Sequence, residues 1–103
     1  MSEYTWPNDG LLAGARAQAS WAANCQVLPI GTQITGEVTG RQRFGVFLSI
    51  DGAPEAIGLA EIIAAPLNAT LPALGEHVSG EVIGHSDHNC QVKIKLTEWK
   101  VYG

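Results

Sequence analysis

Residues Val46-Phe47-Leu48-Ser49-Ile50 set an apolar side chain at every second position, and Ile34-Thr35-Gly36-Glu37-Val38 carries the same pattern upstream. A period of two marks a half-buried strand, because successive side chains leave opposite faces of an extended backbone. Outward from this pair, the turn residues Asp51, Gly52 and Pro54 lead to a third short strand around Ala56 to Leu59. Glu61 to Ala64 is compatible with one helical turn. Pro66 to Gly75, with two prolines and no clear period, reads as a long connection. Val78 and Val82 then mark a fourth strand and Ser86 to Asn89 a hairpin turn. Val92, Ile94 and Leu96 mark a fifth strand, whose other face shows Lys93 and Lys95.

Five short strands interrupted between the third and the fourth follow the plan of a mainly β fold, the five-stranded Greek-key OB-fold barrel. Composition agrees. The 103 residues allow one domain and no second core, which excludes a two-domain enzyme; at 46% hydrophobic and 16% charged, the chain is of the globular kind. Twelve glycines and five prolines suit turns better than a helical bundle. Residues 1–27 read as an N-terminal arm and helix, 28–97 as the barrel domain and 98–103 as a C-terminal tail. The arm, to Asn8, is expected to be mobile unless docked. Asp9 is expected to cap a helix running to about Asn24, with Leu12, Ala15, Ala19 and Ala22 as its buried stripe and Trp21 beside it. An Ala-rich helix with an internal Gly14 needs a tertiary surface to lie on, so it should plug one end of something.

A net charge of −4 excludes a broadly basic protein that coats phosphate, so any anion site must be local. Arg16, Glu61 and Asn68 break the apolar stretches short of the ~20 residues a membrane span needs, and the expectation is a cytoplasmic protein with no membrane contact. Cys25 and Cys90 lie far apart without a Cys-x-x-Cys spacing, which indicates neither a zinc clip nor a disulfide scaffold. Asn68-Ala69-Thr70 fits a glycosylation acceptor, a pattern frequent by chance and relevant only to a secreted chain.

Between Leu28 and Thr97 the chain resembles the S-1 RNA-binding domain family, named after a bacterial ribosomal protein and found also in polynucleotide phosphorylase. Gly31-Thr32-Gln33-Ile34-Thr35-Gly36-Glu37-Val38 is similar to the family's first strand. Arg43-Phe44-Gly45-Val46-Phe47-Leu48 resembles its most specific signature: an aromatic, Gly, a small apolar residue, an aromatic and an apolar residue. Gly58-Leu59 matches the close of the third strand, Leu74-Gly75-Glu76-His77-Val78 the entry to the fourth and Lys93-Ile94-Lys95-Leu96-Thr97 the last. The resemblance implies an OB barrel that binds single-stranded RNA weakly and with low sequence specificity. Phe44, Phe47, Arg41, Arg43, Asp87, Lys93 and Lys95 are the residues expected to carry it.

The chemistry is consistent with that expectation. A bulge at Gly45 would let Phe44 and Phe47 both turn a ring outward, and each stacked base contributes ~1–3 kcal/mol whatever its identity. The alternative is that one ring fills the barrel and the other covers an apolar edge. Arg41, Arg43, Lys93 and Lys95 are four of the six cations and fall in two segments; all four on phosphates would give a salt slope of at most about −3. Glu61 stands where many members of the family place a His, and would repel phosphate if it faced the same groove. Ser86 stands where they place an Asp, with Asp87 next and able to accept from a base amino group or a sugar hydroxyl.

His85-Ser86-Asp87-His88-Asn89-Cys90 holds groups able to ligate zinc or copper, but Ser, Asp and Asn there serve ordinary turn chemistry, and no metal or other cofactor is expected. No nucleophile with a positioned base, phosphate-cradling loop or carboxylate pair is identifiable, so the expectation is a non-enzyme. A second reading is an acidic OB-fold protein-interaction module, such as an inhibitor or immunity-type partner of a basic protein, with Glu37, Asp51, Glu61 and Glu81 forming one acidic face. A third is self-association through Trp6, Trp99 and Tyr102.

Overall fold

The computed structural model describes residues 4–7 and 10–101. Two helices, α1 (Gly10–Ala19) and α2 (Trp21–Val27), precede the strands β1 (Gln33–Gln42), β2 (Gly45–Ile50) and β3 (Ile57–Glu61). A single 3-10 turn at Ile62–Ala64 follows, then β4 (Ala69–Thr70), β5 (His77–Ser86), β6 (Gln91–Leu96) and β7 (Lys100–Val101). β1 pairs antiparallel with β2 and β5, β2 with β3, and β5 with β6; β3 runs parallel to β6, so the sheet closes into a five-stranded barrel. This is the OB fold. The long connection contributes β4, which pairs with β7 in a separate two-stranded ribbon.

The period-two positions face the interior. Val38, Val46, Leu48, Ile50, Val82, Val92, Ile94 and Leu96 are all buried in one cluster, with Trp21, Ile62, Val78 and Trp99 packed at its margins. Burying such side chains contributes roughly 1.5–3 kcal/mol each, which is what closes the barrel without a disulfide; Cys25 and Cys90 are both free. Phe47 and Leu59 are buried too, yet they fall outside that cluster, on the alternate, outer positions of β2 and β3.

The single helix expected to run to Asn24 is two. Ser20, at φ −104° and ψ 13°, breaks it between Ala19 and Trp21. α1 lies along β3, whereas α2 crosses the end of the barrel where β1, β3 and β6 begin. There the buried Asn24 side-chain amide donates to the Glu55 carbonyl at 3.1 Å, and His85 Nε2 donates to the Leu28 carbonyl at 2.7 Å. Leu28 enters the core. One straight helix could not serve both surfaces. The expected stripe of Leu12, Ala15, Ala19 and Ala22 is exposed, and the residue fully buried in α1 is Ala17, with Ala13 and Gly14 half-buried near it. The helix docks through small residues, and an Ala-rich sequence does not distinguish one such face from another. The Asp9 cap lies outside the described residues.

Candidate nucleic-acid interface

The two phenylalanines share the outer surface, by a route different from the expected bulge. β2 keeps regular register through Gly45, which stands opposite Gln42 on one side and Glu61 on the other. The register shift lies in β1, between Val38 and Gly40. Phe44 therefore sits with Arg43 in the two-residue turn between β1 and β2, and its carbonyl accepts from the Ile62 amide at 2.8 Å. Gly45 is required by proximity: a Cβ there would collide with the Ala60 carbonyl oxygen and reach the Glu61 Cα at 2.9 Å. The Phe44 and Phe47 rings meet edge to face, centroids 5.9 Å apart. Phe44 is 43% exposed and Phe47 only 6%.

Against both rings lies Trp6, whose ring is 5.8 Å from Phe47 and 6.2 Å from Phe44 and is itself 63% exposed. The arm reaches this position through a bridge in which the Thr5 and Arg41 amides each donate to the other residue's carbonyl at 2.7 Å. Tyr4 lies under two guanidinium groups, with Arg41 at 5.3 Å and Arg43 at 5.8 Å from the ring centroid, a cation–π arrangement. Tyr4 and Trp6 were not among the expected site residues. Their signal was an aromatic residue at alternate positions next to Pro7, in a segment with no other pattern.

One row of residues crosses the outer face through Gly40, Phe47, Leu59, Lys93 and Gly84. Lys93 thus lies in the row of Phe47, but its ammonium donates to Glu61 at 2.8 Å. Arg41 directs its guanidinium to the backbone, Nε to the Pro72 carbonyl at 3.0 Å and a terminal nitrogen to the Leu71 carbonyl at 3.4 Å. Lys95 is exposed and stands opposite Glu81. Asp87 is at the other end of the barrel, on the hairpin under α2, where it accepts from Trp21 Nε1 at 2.7 Å. The fold therefore groups Phe44, Phe47, Arg41 and Arg43, with Lys93 alongside, and leaves Lys95 and Asp87 apart. Beside the rings, a cleft of about 670 Å³ opens between α1 and the sheet, with Trp6, Arg16, Phe47, Ser49, Ile57 and Gln91 among its lining.

Three of the four carboxylates, Glu37, Asp51 and Glu81, lie on or beside the exposed outer positions of the β1–β5 pair, and Glu61 lies apart on β3. Glu61 pairs with Lys93, Glu81 stands opposite Lys95, Asp51 bonds His77 at 2.8 Å, and Glu37 stands opposite His77. The Thr35 hydroxyl, donating at 2.6 Å, and then the His77 imidazole hold the Asp51 carboxyl below the usual aspartate range. At the hairpin, burial and then the neighbouring Asp87 carboxylate and Cys90 push the Cys25 thiol up, away from thiolate reactivity. Among the described residues no group of three or more His, Cys, Asp or Glu side chains is placed to hold a metal ion, and no helix is long and apolar enough to cross a membrane. Of the terminal aromatics, Trp99 packs against the core and Trp6 on the phenylalanines, while Tyr102 lies outside the described residues.

The class defined by this architecture is the five-stranded OB barrel. No family model matches the chain, and no curated protein does. Among solved structures it is similar to GSP13 from Bacillus subtilis, at 23% identity and TM-score 0.53 over 67% of this chain and 55% of that one. It is similar to RNase R from Mycoplasma genitalium, at 14% identity and TM-score 0.67 over 86% of this chain and 17% of that one; that enzyme is also known in complex with ribose-methylated single-stranded RNA. The alpha subunit of aIF2 from Pyrococcus abyssi matches at 19% identity and TM-score 0.53, over 64% of this chain and 27% of that one. The chain thus spans about half of the first of these proteins and 17% and 27% of the other two. At these identities the likeness is one of fold.

Proposed function

We propose that the chain is a non-catalytic module that binds single-stranded RNA on the outer face of β1–β3, with bases stacking on Phe44 and Phe47 and phosphates meeting Arg43 and Arg41. The observation that carries this is the pair of rings on outer positions, 5.9 Å apart, with Arg41 and Arg43 gathered on the neighbouring Tyr4 ring of a net acidic chain. A flat ring accepts any base, so sequence preference is low. Lys93 is neutralised by Glu61 and Lys95 faces Glu81, which leaves two arginines as the main phosphate contacts and sets the expected salt slope at about −1.4 rather than −3. Asp87 and Lys95 become peripheral contacts at most. The similarity to a domain of RNase R, a protein seen with single-stranded RNA, supports the same ligand.

Glu61 pairs with Lys93 and Asp51 with His77, and these partners weaken an acidic face for a basic protein partner relative to this reading. Titration of a fluorescent oligo-U strand tests it. The Phe44→Ala, Phe47→Ala double variant is expected to lose tenfold or more in affinity, about the loss of one stacked base; undiminished binding would refute stacking on these rings.

A further inference from the structure

The segment Tyr4–Pro7 covers the groups that the proposed RNA site would use. Trp6 lies against both phenylalanines, of which Phe47 is 6% exposed, and Tyr4 lies against both arginines. Its backbone attachment is short. β5 leaves β1 after Glu37, and along the rest of that edge Thr5 bridges Arg41 through two hydrogen bonds of 2.7 Å. The barrel is shaped for the segment at Gly40. This glycine stands opposite Phe47, and a Cβ on it would come within 2.6 Å of the Pro7 Cδ and 2.9 Å of the Pro7 nitrogen, its nearest neighbours all being atoms of Pro7. A bare backbone position in the middle of a strand weakens that strand, and here it admits the arm.

We propose that Tyr4–Pro7 is an autoinhibitory strap, in which Trp6 occupies the place of a base on Phe47 and single-stranded RNA must displace it to bind. The inference rests on the RNA-binding reading of the same rings. Base and indole compete for one ring surface, so apparent affinity is the intrinsic affinity reduced by the fraction of molecules with the strap lifted. Two variants release the strap by different means. Trp6→Ala removes the competing ring; Gly40→Ala leaves every proposed RNA contact in place and expels Pro7.

The test is a titration of oligo-U into the parent chain, Trp6→Ala and Gly40→Ala, with amide hydrogen exchange at Thr5 and Arg41 followed in the parent. Both variants are expected to bind about five- to tenfold more tightly than the parent, and saturating oligo-U is expected to speed exchange at both parent amides. Equal affinities in all three proteins would overturn the strap and leave the RNA reading standing. Weaker binding by Trp6→Ala, with exchange slowed by RNA, would make Trp6 part of the binding platform and overturn it as well. No binding by any of the three, released variants included, would remove the RNA reading and the strap with it.

Discussion

Glu61→Gln should strengthen RNA binding, and the structure sets both the sign and the size. The Glu61 carboxylate holds the Lys93 ammonium at 2.8 Å, with the two side chains 33% and 27% exposed, one strand away from Phe47. Glutamine keeps the shape and removes the charge, so Lys93 becomes available to a phosphate in the row of Phe47. A partly exposed charge contact of this kind is worth ~0.2–1 kcal/mol, which corresponds to a gain of about 1.4- to fivefold in affinity. One further phosphate neutralised adds about −0.7 to the salt slope, taking it from about −1.4 to about −2.1. The lost ion pair costs ~0.2–1 kcal/mol of fold stability, readable as a small fall in the urea midpoint. The assay is fluorescence anisotropy of labelled oligo-U at several salt concentrations, parent against variant. An unchanged slope would show that Lys93 does not reach the RNA and that the row from Phe47 to Lys93 is not the binding track.

Gly45→Ala must push against the backbone at Ala60 and Glu61 rather than against a flexible side chain, so a loss of ~2–3 kcal/mol is expected in urea unfolding; a neutral result would mean the start of β2 can move off β3. Gly14→Ala, in α1 with nothing within 4 Å of the new methyl, should instead be neutral or stabilise by up to ~1 kcal/mol. Asp51 binds its proton more weakly in the folded chain than in the unfolded one, because Thr35 and His77 bond the carboxylate. The stability this contributes is present above the ordinary aspartate value and is lost as pH falls through the lower native value. Asp51→Asn should therefore flatten the acid limb of the stability–pH curve, and an unchanged limb would show that the contacts do not select the ionised form.

The barrel was legible because its strands obey a two-residue period: Val46, Leu48 and Ile50 point into the core while Phe47 and Ser49 do not. α1 and α2 were less so. Their packing uses Ala17 and neighbours of small volume, which carry no periodic contrast, and the break at Ser20 separates a helix beside β3 from one over the end of the barrel. The aromatic pair could be read from Phe44-Gly45-Val46-Phe47, but its mechanical basis could not: Phe44 gains its outward position from a two-residue turn, and the bulge belongs to β1. The charge balance of the site was hidden because Lys93 and Glu61 are 32 residues apart in sequence and meet only through the parallel pairing of β3 with β6. The docking place of Trp6 was hidden for the same reason, since only the closed sheet shows that Gly40 leaves room for its segment.

The location of the interface is the central claim, and backbone amide shifts followed during titration with oligo-U test it most directly. Perturbations concentrated on residues 39–49, on Leu59 to Glu61 and on Lys93 would agree with bases lying across Phe44 and Phe47. Shifts confined to α2 and the hairpin at Asp87, or none at saturating RNA, would contradict it.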